Sequence, residues 1–294
     1  MVVPYAPGGG PDVLTRMLQH RLSAALQQTV FIENKVGAGG IIAAEYTAQQ
    51  PADGHTMLLA SSTHLTQKVL QPKVAFDPVQ GFSHVTQVST APSLLVVSAA
   101  SPYRTLDDLI RAAHAAPGKL FYGSGGIGSA AHLAGAALAH FTRMQLTHVP
   151  YRGSVDLAVA LKSGDIQFAI PTASTILPLV GAGDGKLRAL AITSASREES
   201  LPQLPTLKEL TGSDDLVLVA WSGIWLPAGA PQAVIKKVFD AYHKVMTDTE
   251  VIQAHAKLGV TVTLSATPAA FSSFVAAELA KFQRIVDATG LRLK

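Results

Sequence analysis

Short apolar segments alternate with amphipathic segments along almost the whole chain, and this alternation constrains the fold more than any other feature. Runs such as Thr56–Ala60 and Leu187–Thr193 have the length and composition of buried strands. Between two further runs, Val2–Tyr5 and Val30–Glu33, leucines recur at every fourth position from Leu14 to Leu26, which is the spacing of one helical face. Strands that alternate with helices predict an α/β fold with mostly parallel sheets.

The same patterns give a prediction for most of the chain. Predicted strands are Val2–Tyr5, Val30–Glu33, Thr56–Ala60, Val85–Val88, Leu94–Ser98, Leu120–Tyr122, Thr147–Tyr151, Ile166–Ile170, Leu187–Thr193 and Val260–Leu264. Predicted C-terminal helices are Gln232–Met246, Glu250–Leu258 and Pro268–Asp287. The sequence Thr105-Leu106-Asp107-Asp108 resembles a capping box at the start of another helix.

Length and composition exclude several classes of protein. At about 150 residues per domain, 294 residues predict two domains. The chain has no cysteine, which excludes disulfide scaffolds, cysteine nucleophiles and thiolate metal sites. Hydrophobic residues make up 48% of the chain, which excludes a disordered protein. The net charge of +3 is scattered and lacks interleaved aromatics, so we expect no nucleic-acid partner.

Two long uncharged stretches raise the question of membrane insertion. Residues 78–103 and 120–142 carry no Asp, Glu, Lys or Arg, but prolines, histidines and other polar residues interrupt them. Neither is a clean run of about 20 apolar residues, so we expect a soluble protein. The abrupt start on the strand-like Val2–Tyr5 favours an exported protein whose signal lies outside this sequence.

Three glycine-rich loops are the candidate sites of chemistry. They are Pro7–Gly10, Gly37–Gly40 and Gly123–Ser129, and each stands between a predicted strand and a predicted helix. Such a loop presents backbone N–H groups beside a helix N-terminus, which is a ready site for an anion. Glycines that only permit tight turns are the alternative for any single loop, but three loops of this kind favour a function.

The third loop also permits a dinucleotide interpretation. Gly123, Gly125 and Gly128 form a literal G-x-G-x-x-G pattern, although no carboxylate stands at the expected distance to read a ribose. Arg152 could instead meet a 2′-phosphate, which keeps an NADP-dependent oxidoreductase open as the alternative function.

Other catalytic patterns are absent from the sequence. It has no nucleophile elbow, no Walker A loop and no histidine spacing typical of a metal site, so we predict no catalytic activity, no metal and no cofactor. His140 is interpreted as an ordinary core or surface histidine, whereas His132, one turn into the helix behind the third loop, is open to either interpretation.

Ordered motifs along nearly the whole chain resemble those of the periplasmic receptors of tripartite tricarboxylate transporters, the Bug receptors. They are Val3–Asp12 with Arg16, Glu33–Lys35 with Gly37–Gly40, Ala52–Thr56, Tyr122–Ser129 with His132, Val149–Gly153, Gly185–Ala191, Leu204–Thr206 with Glu209, and Trp221, Gly223, Pro227 and Pro231. The chain departs from the family pattern at Gly10-Pro11, before Asp12, and at Ile170–Thr172, which lacks a neighbouring Asp or Asn.

The resemblance implies a two-lobed Venus-flytrap fold, each lobe a mostly parallel sheet flanked by helices, with a small carboxylate held in the cleft by backbone amides and waters. The residues that it implies for the site are Tyr5, Pro7, Gly8, Gly9, Asp12, Ser62, Thr63, Ser124, Gly126, Gly128, Ser129, His132, Pro171, Thr172 and Ala173. It further implies a periplasmic monomer that works with the membrane subunits of such a transporter.

The two glycine loops at Pro7–Gly10 and Gly123–Gly128 lie more than 110 residues apart, which predicts one half-site in each lobe. We expect the chain to cross between lobes near Ser98–Ser101 and again near Ala220–Gly223. Lobe one would then comprise residues 1–98 and 222–294, and lobe two residues 99–221.

Overall fold

The computed structural model describes residues 1–151, 154–180 and 186–291. The chain divides into two compact units that are each built from two segments. Unit 1 comprises Met1–Thr90 and Trp221–Phe282, and unit 2 comprises Ala91–Ala220 together with the chain from Gln283 onward.

Unit 1 is an α/β unit with helices on a mixed sheet. Its strands are β1 (Val2–Val3), β2 (Glu33–Asn34), β3 (Leu58–Ser61), β4 (Phe82–Ala91), β10 (Ala220–Pro227) and β11 (Thr261–Val262). Its helices are α1 (Gly10–Leu26), α2 (Ile41–Ala48), α3 (Ser62–Leu70), α9 (Gln232–Met246), α10 (Thr249–Lys257) and most of α11 (Pro268–Thr289).

The strands of unit 1 follow the order β11-β4-β10-β3-β1-β2. β1 pairs in parallel with both β2 and β3, whereas β10 is antiparallel to β3 and β11 is antiparallel to β4. The leucines that recur at every fourth position do form a buried face: Leu18, Leu22 and Leu26 pack with Val238 and Tyr242 of α9. Burial of this face anchors α1 and the loop before it on the sheet.

Unit 2 has the same general design. Its strands are β5 (Leu94–Ser98), β6 (Leu120–Ser124), β7 (Leu146–Pro150), β8 (Phe168–Ala169) and β9 (Leu187–Ile192). Its helices are α4 (Leu106–Ala115), α5 (Ala130–Phe141), α6 (Ser154–Ser163), α7 (Ala173–Ile176) and α8 (Leu207–Thr211).

The strands of unit 2 follow the order β7-β6-β8-β5-β9. β6 is parallel to β7 and β8, and β5 is antiparallel to β8 and β9. The capping box of α4 is confirmed: the Asp108 N–H donates to Thr105 Oγ1 at 3.2 Å, and the Asp108 carboxylate accepts from the Thr105 N–H at 2.9 Å.

The α/β class predicted from the sequence is confirmed, but the sheets are mixed rather than mostly parallel. The parallel pairs are those joined through a crossover helix, such as α1 between β1 and β2 or α5 between β6 and β7. Strand β5 begins shortly after one point at which the chain changes unit, and β10 contains the other; both strands run antiparallel to the neighbours given above. Periodicity cannot reveal this direction, because an apolar strand looks the same in either one.

The unit boundaries also differ from those placed on the sequence. The first change of unit falls between Thr90 and Ala91, because β5 pairs with β8 and β9 of the second sheet instead of ending the first. The second change falls between Ala220 and Trp221, inside the predicted range Ala220–Gly223, whereas the chain from Gln283 onward is grouped with unit 2 rather than with lobe one.

No helix in the described part of the chain combines the length and apolar character needed to cross a bilayer. Residues 1–151, 154–180 and 186–291 likewise contain no group of three or more His, Asp or Glu side chains that could hold a metal ion.

Candidate functional site

Parallel strands gather the predicted residues of unit 1 at one edge of its sheet. β1 lies between β2 and β3 and is parallel to both, so the loops after these three strands leave from the same, carboxyl edge. Those loops are the first glycine loop, the second glycine loop and the turn into α3. Two of the three glycine loops found in the sequence are therefore neighbours, although no local pattern shows it.

Asp12 organises the first glycine loop from within. Its carboxylate is fully buried and accepts hydrogen bonds from the Gly8 N–H at 2.8 Å, Arg16 Nε at 2.9 Å and Asn34 Nδ2 at 2.7 Å. Asn34 Nδ2 also donates to the Tyr5 carbonyl at 2.9 Å. Mainly through the bond from Arg16, these donors hold the pKa of Asp12 at about 2. The carboxylate therefore ties β1, α1 and β2 together.

The backbone N–H groups of the other predicted residues of this loop partly form hydrogen bonds within the loop itself. Gly8 has φ of +80°, a backbone conformation that suits glycine, and its N–H serves Asp12. The Gly9 N–H donates to the Ala6 carbonyl at 3.1 Å, and Gly9 stands at the N-cap of α1. Pro7 is exposed at the start of the turn.

Unit 1 contains a pocket of about 250 Å³ at this edge. It is lined by Pro4, Tyr5, Ala6, Val36, Gly37, Gly39, Gly40, Ser61, Thr63 and His64. The Tyr5 hydroxyl donates to Ser61 Oγ at 2.9 Å, which joins β1 to the end of β3. The pocket thus brings Tyr5 and Thr63 of the predicted site together, while Ser62 is buried at the first position of α3.

The second glycine loop, a candidate from the sequence that was not assigned to the carboxylate site, lines this pocket, and so does His64, which the sequence did not indicate. His64 is buried, its Nδ1 accepts from the Ser61 N–H at 3.0 Å, and burial lowers its pKa to about 4. The ring therefore stays neutral at neutral pH. The signal for the loop was present in Gly37–Gly40, whereas nothing local distinguishes His64 from a core histidine.

Unit 2 repeats the arrangement around its parallel strands. β6 is parallel to β7 and β8, with Ser124 opposite Pro150 and Gly123 opposite Ala169. The third glycine loop, which follows β6, and the segment Pro171–Ala173, which follows β8, therefore leave from one edge of the sheet.

The Ser124 hydroxyl serves the loop itself. Ser124 is fully buried; its Oγ donates to the Gly126 carbonyl at 2.9 Å, accepts from the Gly126 N–H at 3.2 Å and lies 2.7 Å from His148 Nε2. Gly126 and Gly128 have φ of +129° and +79°, which explains why glycine stands at both positions.

The loop ends at a capped helix whose first amides are free. Ser129 is the N-cap of α5, and its Oγ accepts from the His132 N–H at 3.3 Å. The N–H groups of Ala130 and Ala131 in the first turn have no intrahelical partner. Within the described residues, the N–H groups of Gly125 and Ile127 also lack a hydrogen-bond partner. Four amide donors therefore cluster at this loop beside the positive end of α5.

His132 and His148 lie behind this loop. Their rings stack with centroids 3.8 Å apart, and His132 Nδ1 accepts from the Gly128 N–H at 3.1 Å. Burial, reinforced by the neighbouring His148, lowers the pKa of His132 to about 4, and burial also lowers the pKa of His148. His148 was missed in the sequence because it occurs within a predicted strand.

The remaining predicted residues bond to the start of unit 2. The Leu94 N–H donates to the Pro171 carbonyl at 2.9 Å, the Ala173 N–H donates to the Pro92 carbonyl at 2.8 Å, and Thr172 pairs with Ser93. Among the described residues, no hydrogen bond joins Pro171–Ala173 directly to the third glycine loop.

Helix α5 approaches β6 closely at Gly135. A Cβ atom there would lie 2.1 Å from Cε2 of the buried Tyr122 ring, so Gly135→Ala is expected to destabilise the fold. Alanine would favour the helix by about 1 kcal/mol. Overpacking against a buried ring costs about 1–3 kcal/mol and should outweigh that gain.

Urea unfolding measures this balance, with Gly10→Ala as the matched control. A Cβ at Gly10 meets no atom within 4 Å outside the neighbouring residues, so this change should cost less than Gly135→Ala even though Pro11 disfavours a helical alanine before it. Equal stability of Gly135→Ala and the unaltered protein would contradict the close approach of α5 to β6.

Comparison with known proteins identifies the family. Residues 14–291 match the model of the tripartite tricarboxylate transporter family receptors, and the chain belongs to this family. A solved structure of Rpa4515 from R. palustris with adipate is 29% identical with a TM-score of 0.83, and covers 99% of this chain and 97% of its own.

Two further solved structures are similar over their whole length. The periplasmic binding protein BugD is 27% identical with a TM-score of 0.80, covering 100% of this chain and 98% of its own. MatC from Rhodopseudomonas palustris with bound malate is 26% identical with a TM-score of 0.80, covering 97% of each chain.

These findings confirm the resemblance drawn from the motifs, including the periplasmic-binding-protein fold. They also place the chain among solute-binding receptors rather than enzymes. The alternative NADP-dependent oxidoreductase is therefore not supported. Its key residue, Arg152, lies outside the described residues, as does Gly153 of the neighbouring motif.

Proposed function

We propose that this receptor captures a small carboxylate in the periplasm and presents it, as a monomer, to the membrane subunits of a tripartite tricarboxylate-type transporter. The observation that carries the proposal is a cluster of amide donors at the third glycine loop, on Gly125, Ile127, Ala130 and Ala131, that find no partner in the described part of the chain. The family and the structures of its members with adipate and malate support a carboxylate as the ligand.

Backbone amides are sufficient to bind such an anion. A hydrogen bond to a charged group contributes about 1.5–3 kcal/mol, roughly twice the value for a neutral pair. The dipole of α5 adds about 0.3–1 kcal/mol at its N-terminus. The Ser129 hydroxyl can donate a further bond, because its oxygen already accepts from His132 and its proton is free.

In this proposal, each unit offers a half-site for the ligand. Unit 1 contributes the Tyr5–Gly9 loop and the first turn of α3, with the amides of Ser62 and Thr63. Unit 2 contributes the third glycine loop, with Pro171–Ala173 as a further wall. A ligand able to bind both half-sites at once would favour a state in which the units close on it.

Titration calorimetry with adipate, malate and NADPH tests the proposed function. We expect at least one carboxylate to bind with one site per chain and NADPH not to bind. Native mass spectrometry of freshly purified protein extends the test to a retained ligand. Binding of NADPH alone, or steady conversion of a bound acid, would contradict the receptor function.

Small-angle scattering tests closure separately. The radius of gyration should fall when the carboxylate that binds is added to saturation. An unchanged profile under saturating ligand would argue against closure of the two units while leaving the binding site itself intact.

A further inference from the structure

We infer that His132 and His148 act together as a positioning unit that holds the third glycine loop at both ends, with both rings neutral. This histidine pair acts on the ligand only through the loop, so the inference rests on the proposed function for its consequence in binding. It reassigns His132, which the family resemblance places in contact with the ligand.

The geometry of the pair supports a shared role. His132 comes from α5 and His148 from β7, and their rings stack at 3.8 Å with an interplanar angle of 13°. His148 Nε2 lies 2.7 Å from Ser124 Oγ, at the start of the loop. His132 Nδ1 accepts from the Gly128 N–H at 3.1 Å, at the end of the loop. Each ring therefore secures one end of the same five-residue segment.

The hydrogen bonds indicate which nitrogen of each ring carries the proton. With its one proton donated to the Gly126 carbonyl, the Ser124 hydroxyl accepts from His148, and we therefore assign the proton of His148 to Nε2. His132 must leave Nδ1 free to accept from Gly128, so its proton is on Nε2. A second proton on Nδ1 of His132 would set a donor against a donor and break the bond to the loop.

The surroundings keep the pair neutral. Tyr122 of β6 faces both rings, 4.9 Å from His148 and 6.5 Å from His132, and burial raises the pKa of its phenol. The turn Asp214–Leu216 packs on α5, but Asp214 pairs with Lys208 and Asp215 with Arg284. The third histidine of this region, His140, is exposed at the far end of α5. Two adjacent imidazolium ions would repel each other in the stack.

The consequence for binding concerns the free amides. Gly125 and Ile127 lie between the two secured positions, Ser124 and Gly128. A loop held at both ends loses less conformational freedom when an anion binds, so its amides bind more tightly. Release of either end should therefore weaken binding even though neither histidine contacts the ligand.

Paired variants separate hydrogen bonding from packing. His132→Leu and His148→Phe remove one hydrogen bond each and keep an apolar or stacked side chain. His132→Asn restores an acceptor near the position of Nδ1, and His148→Gln restores a donor near the position of Nε2. His140→Gln, on the same helix as His132, is the control.

Nitrogen-15 NMR of the histidine rings and hydrogen exchange of the backbone amides test the inference without any ligand. We expect His132 and His148 to be neutral Nε2–H tautomers at pH 7. The Gly128 amide should exchange about tenfold faster in His132→Leu, and the Gly126 amide about tenfold faster in His148→Phe. The Asn and Gln variants should restore slow exchange, and His140→Gln should leave it unchanged. For adipate or malate, whichever binds, affinity should fall about tenfold in the two disruptive variants.

Two results would overturn the inference. These are a proton on Nδ1 of His132 in the unaltered protein, or unchanged exchange of the Gly128 amide in His132→Leu. If the disruptive variants fail to fold, the tautomers of His132 and His148 in the unaltered protein still decide whether the inference holds. If the unaltered protein binds no carboxylate, the proposed function fails, and the exchange data still decide the role of the pair.

Discussion

Ala130→Pro is expected to weaken carboxylate binding about 10- to 100-fold without disrupting helix α5, because it removes one charge-assisted hydrogen bond worth about 1.5–3 kcal/mol. Ala130 is the exposed first residue of the helix, where its N–H has no intrahelical partner. Proline is well tolerated at this position. The preceding Ser129 has φ of −72° and ψ of 160°, which a following proline also permits.

The matched control is Gln232→Pro. Gln232 is the exposed first residue of α9, and the preceding Pro231 has φ of −59° and ψ of 143°. This variant changes the same type of position outside the proposed site and should bind normally. Titration calorimetry gives the affinities, and circular dichroism checks the helices. Unchanged affinity of a folded Ala130→Pro protein would show that this amide does not bind the ligand.

Asp12→Ala is expected to lower the free energy of unfolding by about 2–4 kcal/mol, the largest effect on stability that we predict. The fully buried carboxylate accepts from Gly8, Arg16 and Asn34, and its removal leaves these donors without their acceptor. Asp12→Asn should be destabilising as well, since its amide group would direct a donor at another donor. Urea unfolding at pH 7 measures both variants.

The effect of Asp12 should depend on pH in one direction. Its donors, Arg16 first, hold the pKa of Asp12 at about 2 in the folded protein, whereas an unfolded chain has about 3.9. The carboxylate therefore stabilises the fold fully above about pH 4, and this stabilisation is lost as the pH falls from about 4 towards 2. The difference in stability between the unaltered protein and Asp12→Asn should shrink over the same interval.

Asp53→Asn provides the control for this pair. Asp53 is exposed and accepts from the His55 N–H at 2.9 Å, so its replacement should change stability by less than about 0.5 kcal/mol. A similarly small effect of Asp12→Asn on stability would contradict the structural role assigned to Asp12. So would a difference in stability between Asp12→Asn and the unaltered protein that grows as the pH falls.

Much of the fold was predictable because local physics defines its elements. The four-residue spacing of leucines from Leu14 to Leu26 predicted a helix with a buried face, and α1 has one. The capping box at Thr105 predicted the start of α4 to the residue. Strand direction was not predictable in the same way, since β5 and β10 take their antiparallel partners from distant segments.

The candidate site shows the same division. The glycine loops were visible because a positive φ at Gly8, Gly126 and Gly128 favours glycine whatever surrounds it. His148 was not visible, since its partner Ser124 is 24 residues away and the two meet only across paired strands. The buried role of Asp12 was hidden for the same reason, because Asn34 reaches it from another strand.

The sequence by itself determined the α/β class, the receptor family and the loops that can bind an anion, because periodicity, backbone conformation and ordered motifs are properties of neighbouring residues. Only the tertiary structure decided which polar groups remain available. It commits Asp12, Ser124 and His132 to the loops and leaves the amides at the start of α5 unpaired. Hydrogen-bond partners that lie far apart in the sequence meet only when the sheets form, so the availability of a donor is decided by the fold.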